Sequence, residues 1–221
     1  MTSSLPSPSP APAPGPASGS VLDLAPVMPV VVVTDAADAV PLARALVAGG
    51  LPAIEVTLRT PAALASIERI AAAVPDLVVG AGTVTAPGHA KQALDAGARF
   101  IVTPGSTDAL LDAVAATGLP FLPGVSTVGE AMRALERGYS VLKFFPAEAA
   151  GGVPYLKSIH GPLPGLRFCP TGGITVESAP SYLALPNVGC VGGSWLTPSD
   201  ALATGDWSRV ETLAAAAATL R

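Results

Sequence analysis

Short runs of β-branched and aromatic residues alternate with longer Ala- and Leu-rich stretches from about residue 27 to the end of the chain. The pattern predicts strands over 30–34, 53–57, 77–80, 100–102, 120–122, 141–144, 167–169 and 188–191. Apolar positions at helical spacing fill the intervals over 38–48, 61–73, 87–96, 107–117, 128–137 and 176–184, and a last helix is expected over 207–220. Thr60-Pro61 reads as an N-cap followed by proline at the first helical position, and Ser126 or Thr127 before Glu130 reads as a capping box. Gly49-Gly50, Gly97 and Gly118 are helix stops.

Units of this kind recur about every 20–27 residues, which is the cadence of parallel βα repeats. Eight of them predict an α/β protein with a single-domain, closed (β/α)8 barrel (TIM barrel), with an open doubly wound sheet as the alternative. Residues 1–20, MTSSLPSPSPAPAPGPASGS, depart from the pattern. Pro/Ala/Ser low complexity cannot bury enough apolar surface to order itself, so a disordered tail over 1–20 and a folded domain over 21–221 are expected. The tail has neither a basic start nor an apolar core, so it does not read as a secretory signal.

Composition narrows the picture. Half of the 221 residues are hydrophobic and 13% are charged, but much of that apolarity is alanine. No run approaches the roughly 18 uninterrupted apolar residues of a spanning helix. A formal net charge of −4 gives no footprint for nucleic acid. Two cysteines, Cys169 and Cys190, do not make a disulfide framework, and they read as buried small apolar residues. A soluble cytoplasmic protein without membrane or nucleic-acid partners is expected.

The candidate chemistry lies at strand ends, where barrels of this class build their sites. Lys143 stands alone among apolar neighbours in Val141-Leu-Lys-Phe-Phe145. Burial disfavours the charged form of a lysine, and a lysine held neutral can attack a carbonyl and form a Schiff base. The alternative is a strand-end lysine that reaches water or a carboxylate. Alternation puts Ala53, Glu55 and Thr57 on one face, with Arg59 above them at the mouth. A glutamate flanked by Ile54 and Val56 suits proton transfer beside the lysine, or else an internal ion pair with Arg59 or Lys143. Small residues end the next strands at Gly80-Ala-Gly-Thr83, Thr103-Pro-Gly105 and Pro123-Gly124. Paired glycines follow the last two strands, at Gly172-Gly173 and Gly192-Gly193, the second followed by Ser194. That is where barrels often hold phosphate on backbone N–H groups. His89 and His160 show no metal-ligand spacing with each other or with the cysteines.

From about residue 27 to the C-terminus the chain resembles the 2-keto-3-deoxy-6-phosphogluconate (KDPG) aldolase and 4-hydroxy-2-oxoglutarate (KHG) aldolase family. The motifs that carry the resemblance are Ile54-Glu-Val-Thr-Leu-Arg59, Gly80-Ala-Gly-Thr83, Val102-Thr-Pro-Gly105, Leu142-Lys-Phe-Phe-Pro-Ala147, Pro170-Thr-Gly-Gly-Ile174 and Gly192-Gly-Ser-Trp195. The resemblance implies a class I aldolase without metal or cofactor, a lyase acting on a small phosphorylated keto acid. Lys143 then forms the Schiff base and Glu55 transfers protons. Arg59 and Thr83 meet the substrate carboxylate, Pro104, Phe145 and Thr171 pack around the pyruvyl unit, and Gly172, Gly173, Gly193 and Ser194 cradle the phosphate. It also implies a homotrimer. The galactonate epimer and 4-hydroxy-2-oxoglutarate are alternative substrates. A phosphate-binding isomerase or a sensor, neither using a Schiff base, are the readings from other classes.

Overall fold

The computed structural model describes residues 20–220. The disordered tail expected over 1–20 lies outside them except for Ser20, whose side chain accepts a hydrogen bond from Leu22 N and caps a short 3-10 turn, Val21–Asp23.

The strands are β1 (Val27–Val31), β2 (Ala53–Thr57), β3 (Val78–Gly82), β4 (Ile101–Val102), β5 (Phe121–Leu122), β6 (Gly124–Val125), β7 (Val141–Phe144), β8 (Arg167–Pro170) and β9 (Val191–Gly193). The helices are α1 (Ala39–Ala48), α2 (Ala63–Ala73), α3 (Pro87–Asp95), α4 (Asp108–Ala115), α5 (Val128–Glu136), α6 (Gly152–His160), α7 (Ala179–Leu183), α8 (Ser199–Thr204) and α9 (Trp207–Ala218). Every strand pairing is parallel. Six strands are ordered β5-β4-β3-β2-β1-β9 and three are ordered β6-β7-β8. Only Pro123, which has no N–H to give to a ladder, separates β5 from β6, so the two are halves of one stave. On the other side the bridges Phe168↔Val188 and Thr171↔Gly192 join β8 to the β9 stave. The sheet thus curls into a single-domain (β/α)8 barrel, as the repeat predicts.

Alternation along the strands makes two apolar layers. Ile54, Val56, Val79, Leu142, Phe144 and Phe168 point outward and pack against helix residues such as Leu46, Ile67, Ile70, Val114 and Val210. Inside, Met28, Ala53, Phe100, Val102, Leu122, Cys169 and Cys190 fill the lower half of the barrel, and Val21 and Leu22 of the 3-10 turn close that end. The turn is tied to β8 by Asp23, which accepts two hydrogen bonds from the Arg167 guanidinium. A filled lower half leaves the opposite, C-terminal end of the staves as the place for a site.

Several expected boundaries moved. The run at 30–34 is strand only to Val31, because its partners fix the ladder lower: Val27, Met28 and Pro29 pair with Val191, Gly192 and Gly193. Val32 to Thr34 extend beyond the barrel. The same pairing moves the last strand from 188–191 to Val191–Gly193. Thr60 does not cap α2. Its hydroxyl donates to the Val33 carbonyl at 2.5 Å, and the helix starts at Ala63. α7 starts at Ala179, because Thr175 and Ser178 bond to each other's backbone N–H groups in a turn of their own. The capping box forms at Thr127: its hydroxyl accepts from Glu130 N, and the Glu130 carboxylate accepts from Ser126 N and Thr127 N. Burial opposes ionisation of Glu130, but these backbone donors outweigh it and hold the carboxyl below its usual range.

Candidate active site

β7 directs Val141, Lys143 and Phe145 to one side and Leu142 and Phe144 to the other, since successive side chains alternate. Leu142 and Phe144 anchor the strand in the outer core. Lys143 therefore points into the barrel, with its residue only 5% exposed. β2 is placed by the same rule: Ile54 and Val56 are anchored outside, and Glu55, at 2% exposure, points inward above Ala53. The two charges meet, with Lys143 Nζ donating to Glu55 Oε1 at 3.1 Å. This pair has lost its water, so each charge depends on the other for compensation. Lys143 Nζ also stands 5.5 Å from the centre of the Phe145 ring, where the face of the ring attracts a cation.

β3 makes room for the carboxylate. A Cβ on Gly82 would fall 2.1 Å from Glu55 Oε1, so only a glycine lets the glutamate lie flat against that strand. Gly82→Ala is expected to displace the carboxylate and lower kcat about 100-fold, the effect of misplacing a reacting group by roughly 1 Å. Steady-state kinetics and a melting curve check this, and an unchanged kcat in folded protein contradicts the placement.

Above the pair opens a cavity of about 330 Å3. Lys143 lies on its lining, while Glu55 reaches it only through Lys143. Arg59, Thr83, Pro104, Phe145 and Thr171 line it too. Arg59 makes no ion pair among the described residues, so its guanidinium is available to a carboxylate. Thr83 has φ 56°, a left-handed conformation that is costly for a β-branched residue and recurs at functional sites. Thr171 is 6% exposed, and its hydroxyl touches the Cys169 thiol at 3.8 Å.

Gly172 and Gly173 border the cavity at φ 101° and 80°, a pair of left-handed residues that side chains would not tolerate. The turn is held by the segment after β7: Ala147 N and Glu148 N donate to the Thr171 and Gly172 carbonyls. The Glu148 carboxylate in turn accepts from the Tyr182 hydroxyl at 2.7 Å, and burial together with this bond raises the Tyr182 phenol above its ordinary range. Ser194 completes the rim.

Of the residues singled out in the sequence, the structure gathers Lys143, Glu55, Arg59, Thr83, Pro104, Phe145, Thr171, Gly172, Gly173 and Ser194 at this one mouth. Gly193 is not on the lining. Its Cα faces the Trp195 ring, and Gly192 lines the cavity instead. Thr57, which alternation puts on the Glu55 face, lines the cavity, and so do Val30, Val32 and Ile174, for which the sequence suggested no role; Glu148, behind the glycine turn, had none either. Alternation along the first strand also points to Val32, whereas the Glu148–Tyr182 contact spans 34 residues and leaves no local trace. Cys169 and Cys190 are both buried free thiols. Cys169 is the register partner of Lys143, and hydrogen bonding to Cys169 together with burial pushes the Cys190 thiol well up. His89 and His160 sit on α3 and α6, outside the barrel.

Residues 19–213 match the family model described as KDPG and KHG aldolase. The chain is 52% identical over 198 residues to the 2-dehydro-3-deoxy-phosphogluconate aldolase of Pseudoalteromonas atlantica, covering 90% of this chain and 92% of that one. It is 50% identical to the KHG/KDPG aldolase of Escherichia coli K12, covering 88% and 92%. The crystal structure of KDPG aldolase from Legionella pneumophila, with pyruvate captured as a covalent carbinolamine intermediate, superposes with a TM-score of 0.88 at 48% identity, covering 90% of this chain and 97% of that one.

Proposed function

The chain belongs to the KDPG and KHG aldolase family, and we propose that it is a class I, Schiff-base aldolase that cleaves 2-dehydro-3-deoxy-6-phosphogluconate to pyruvate and glyceraldehyde 3-phosphate. The observation that carries the reading is the buried 3.1 Å contact between Lys143 Nζ and Glu55 Oε1 beneath an open cavity.

Moving one proton across that contact leaves a neutral amine and a carboxylic acid, the two forms that attack and dehydration require. The Lys143 nitrogen attacks the C2 ketone of the substrate. Glu55 gives the proton that lets hydroxide leave as water, and a protonated imine remains. This cation takes up the electron pair of the C3–C4 bond as it breaks. Glu55 accepts the C4 hydroxyl proton, the aldehyde departs, and the enamine is protonated at C3. Water then attacks the imine carbon, releasing pyruvate and restoring the lysine.

Arg59 and Thr83 are assigned to the substrate carboxylate, and Pro104, Phe145 and Thr171 to the pyruvyl unit. The phosphate is assigned to Gly172, Gly173 and Ser194, with the Gly192–Gly193 backbone behind them. Fixing both ends of the substrate holds the reacting bond over Lys143, which is the entropic part of the rate. Ser194→Ala is expected to raise KM for the phosphorylated substrate about tenfold, the loss of one hydrogen bond to a charged group, with kcat little changed. An unchanged KM contradicts the phosphate assignment.

The test of the reaction itself is pyruvate release from the phosphogluconate substrate, its galactonate epimer and 4-hydroxy-2-oxoglutarate. The reading predicts the highest kcat/KM for the first. The Escherichia coli relative's description favours 4-hydroxy-2-oxoglutarate as the second substrate. A preference for the epimer overturns the substrate, and no release from any of the three overturns the aldolase.

A homotrimer and a cytoplasmic location are part of the same proposal. No helix among the described residues is long and apolar enough to cross a membrane. α5 presents Val128, Met132 and Leu135 on one face at 37%, 48% and 42% exposure, a surface suited to another subunit. Met132→Glu is expected to shift sedimentation from trimer toward monomer. A monomeric parent protein contradicts the trimer.

A further inference from the structure

The turn at Gly172 and Gly173 has no side chains of its own, so its shape comes from what is packed around it. Gly173 N donates to no backbone carbonyl among the described residues, which leaves that donor to a ligand. The carbonyls of the turn and the open faces of its α-carbons all meet the segment that follows β7. A Cβ on Gly172 would fall 3.2 Å from the Phe145 ring, and one on Gly173 would fall 2.7 Å from Glu148 Cγ. Glu148 N also donates to the Gly172 carbonyl at 3.1 Å. The turn thus lies flat on the aliphatic stem of Glu148. A pair of glycines has little conformational preference of its own, and without that support it would sample other shapes.

Glu148 is exposed, and an exposed carboxylate on a flexible stem ordinarily turns to water. Here it is fixed by Tyr182 of α7, whose hydroxyl donates to Oε1 at 2.7 Å, the short distance of a bond to a charged acceptor. The tyrosine cannot follow a moving carboxylate. Its residue is 1% exposed, and its ring is part of the outer core. Its hydroxyl lies against Gly152 at the head of α6, where a Cβ would stand 3.0 Å away. Contacts therefore run from a buried ring through a hydroxyl, a carboxylate and its stem to the glycine turn. Only the glycines of that series line the cavity; Glu148 and Tyr182 do not. A surface carboxylate bonded to a phenol could serve stability alone, but this one is packed under the glycine turn, which points to the ligand.

We propose that Glu148 and Tyr182 are positioning residues for the substrate phosphate, which they serve by holding the Gly172–Gly173 turn in its left-handed shape. The inference rests on the class I aldolase reading and on the phosphate assignment made above. Neither residue touches the phosphate. Tyr182 holds Glu148, Glu148 holds the turn, and the turn aims its backbone N–H groups. Loss of either side chain leaves the Lys143 end of the site intact and weakens only the phosphate end.

The test measures kcat and KM for the phosphogluconate substrate in parent enzyme, Tyr182→Phe, Glu148→Ala and Glu148→Gln. Beside it, the pyruvate concentration that half-saturates borohydride trapping is measured, because pyruvate fills the Lys143 end and carries no phosphate. Tyr182→Phe and Glu148→Ala are expected to raise KM about tenfold, the loss of a hydrogen bond to a charged group passed on to the turn, with kcat and pyruvate trapping within about threefold of the parent. Glu148→Gln keeps the stem and an oxygen that accepts from Tyr182, so its KM is expected to stay within about threefold. A merely structural role does not separate the two ends of the site in this way. Folded Tyr182→Phe and Glu148→Ala proteins that lose pyruvate trapping in parallel with KM, or that keep the parent KM while Ser194→Ala raises it, overturn the inference and leave the aldolase standing. So does a Glu148→Gln protein as impaired as Glu148→Ala, which would make the charge, not the contact, the operative feature. An unchanged KM in all of these variants, Ser194→Ala included, overturns the phosphate assignment and the inference with it. Parent enzyme that neither cleaves the substrate nor forms a pyruvate adduct on Lys143 overturns the aldolase reading itself.

Discussion

Lys143→Met is expected to abolish turnover, by a factor on the order of 10^6, as removal of a covalent nucleophile does elsewhere. No other lysine can replace it. The sequence has three lysines, and the other two lie on outer helices: Lys91 on α3, paired with Asp95 at 2.6 Å, and Lys157 on α6. The substitution also leaves Glu55 buried without its cation, and breaking a buried pair costs roughly 3–5 kcal/mol in stability unless the carboxyl takes up a proton. Loss of activity therefore has to be separated from loss of fold. The double variant Lys143→Met/Glu55→Gln removes both charges and is expected to melt closer to the parent than Lys143→Met does, while remaining inactive. Pyruvate release and melting curves on the three proteins check this. A folded variant without Lys143 that keeps more than a small fraction of the rate contradicts the role given to that residue.

Glu55→Gln is expected to lower kcat by roughly 10^2- to 10^4-fold, the usual contribution of a positioned acid–base group. The amide keeps nearly the same shape and can still accept a hydrogen bond from Lys143, but it cannot carry protons between the amine, the departing hydroxide and the C4 hydroxyl. Imine formation then relies on water, so borohydride should still trap pyruvate on the enzyme, only more slowly. This split between lost turnover and retained trapping separates Glu55 from a residue that merely holds the lysine in place. A full rate in Glu55→Gln assigns proton transfer to another group, and loss of trapping as well as turnover makes the contact with Lys143 structural.

The sequence was most informative where one residue type was out of place. A lysine and a glutamate, each flanked by outward-packing apolar residues, had to point inward, and β2 and β7 have the bounds that alternation predicts. The repeat of βα units led to the barrel because parallel staves each need a helix to cover their outer side. Boundaries failed where a neighbouring strand, rather than local preference, sets the ladder. Val32 and Val33 have the strongest preference for strand in their segment, yet they lie past the last partner that β2 and β9 offer. β6 was invisible because its Gly124–Val125 is too short and too rich in glycine to read as strand; its pairing with Lys143 and Phe144 is tertiary. The helix α6 opens with Gly151 and Gly152, both at positive φ, and carries Pro154 in its first turn, so it begins like a loop. The motif residues identified most of the mouth.

The central claim is that Lys143 bonds covalently to the keto acid. Incubation with pyruvate and borohydride, followed by intact mass and peptide mapping, tests it most directly. The account predicts a single reduced pyruvyl adduct on the peptide that contains Lys143. Folded protein with no adduct, or with the adduct on Lys91 or Lys157, contradicts it.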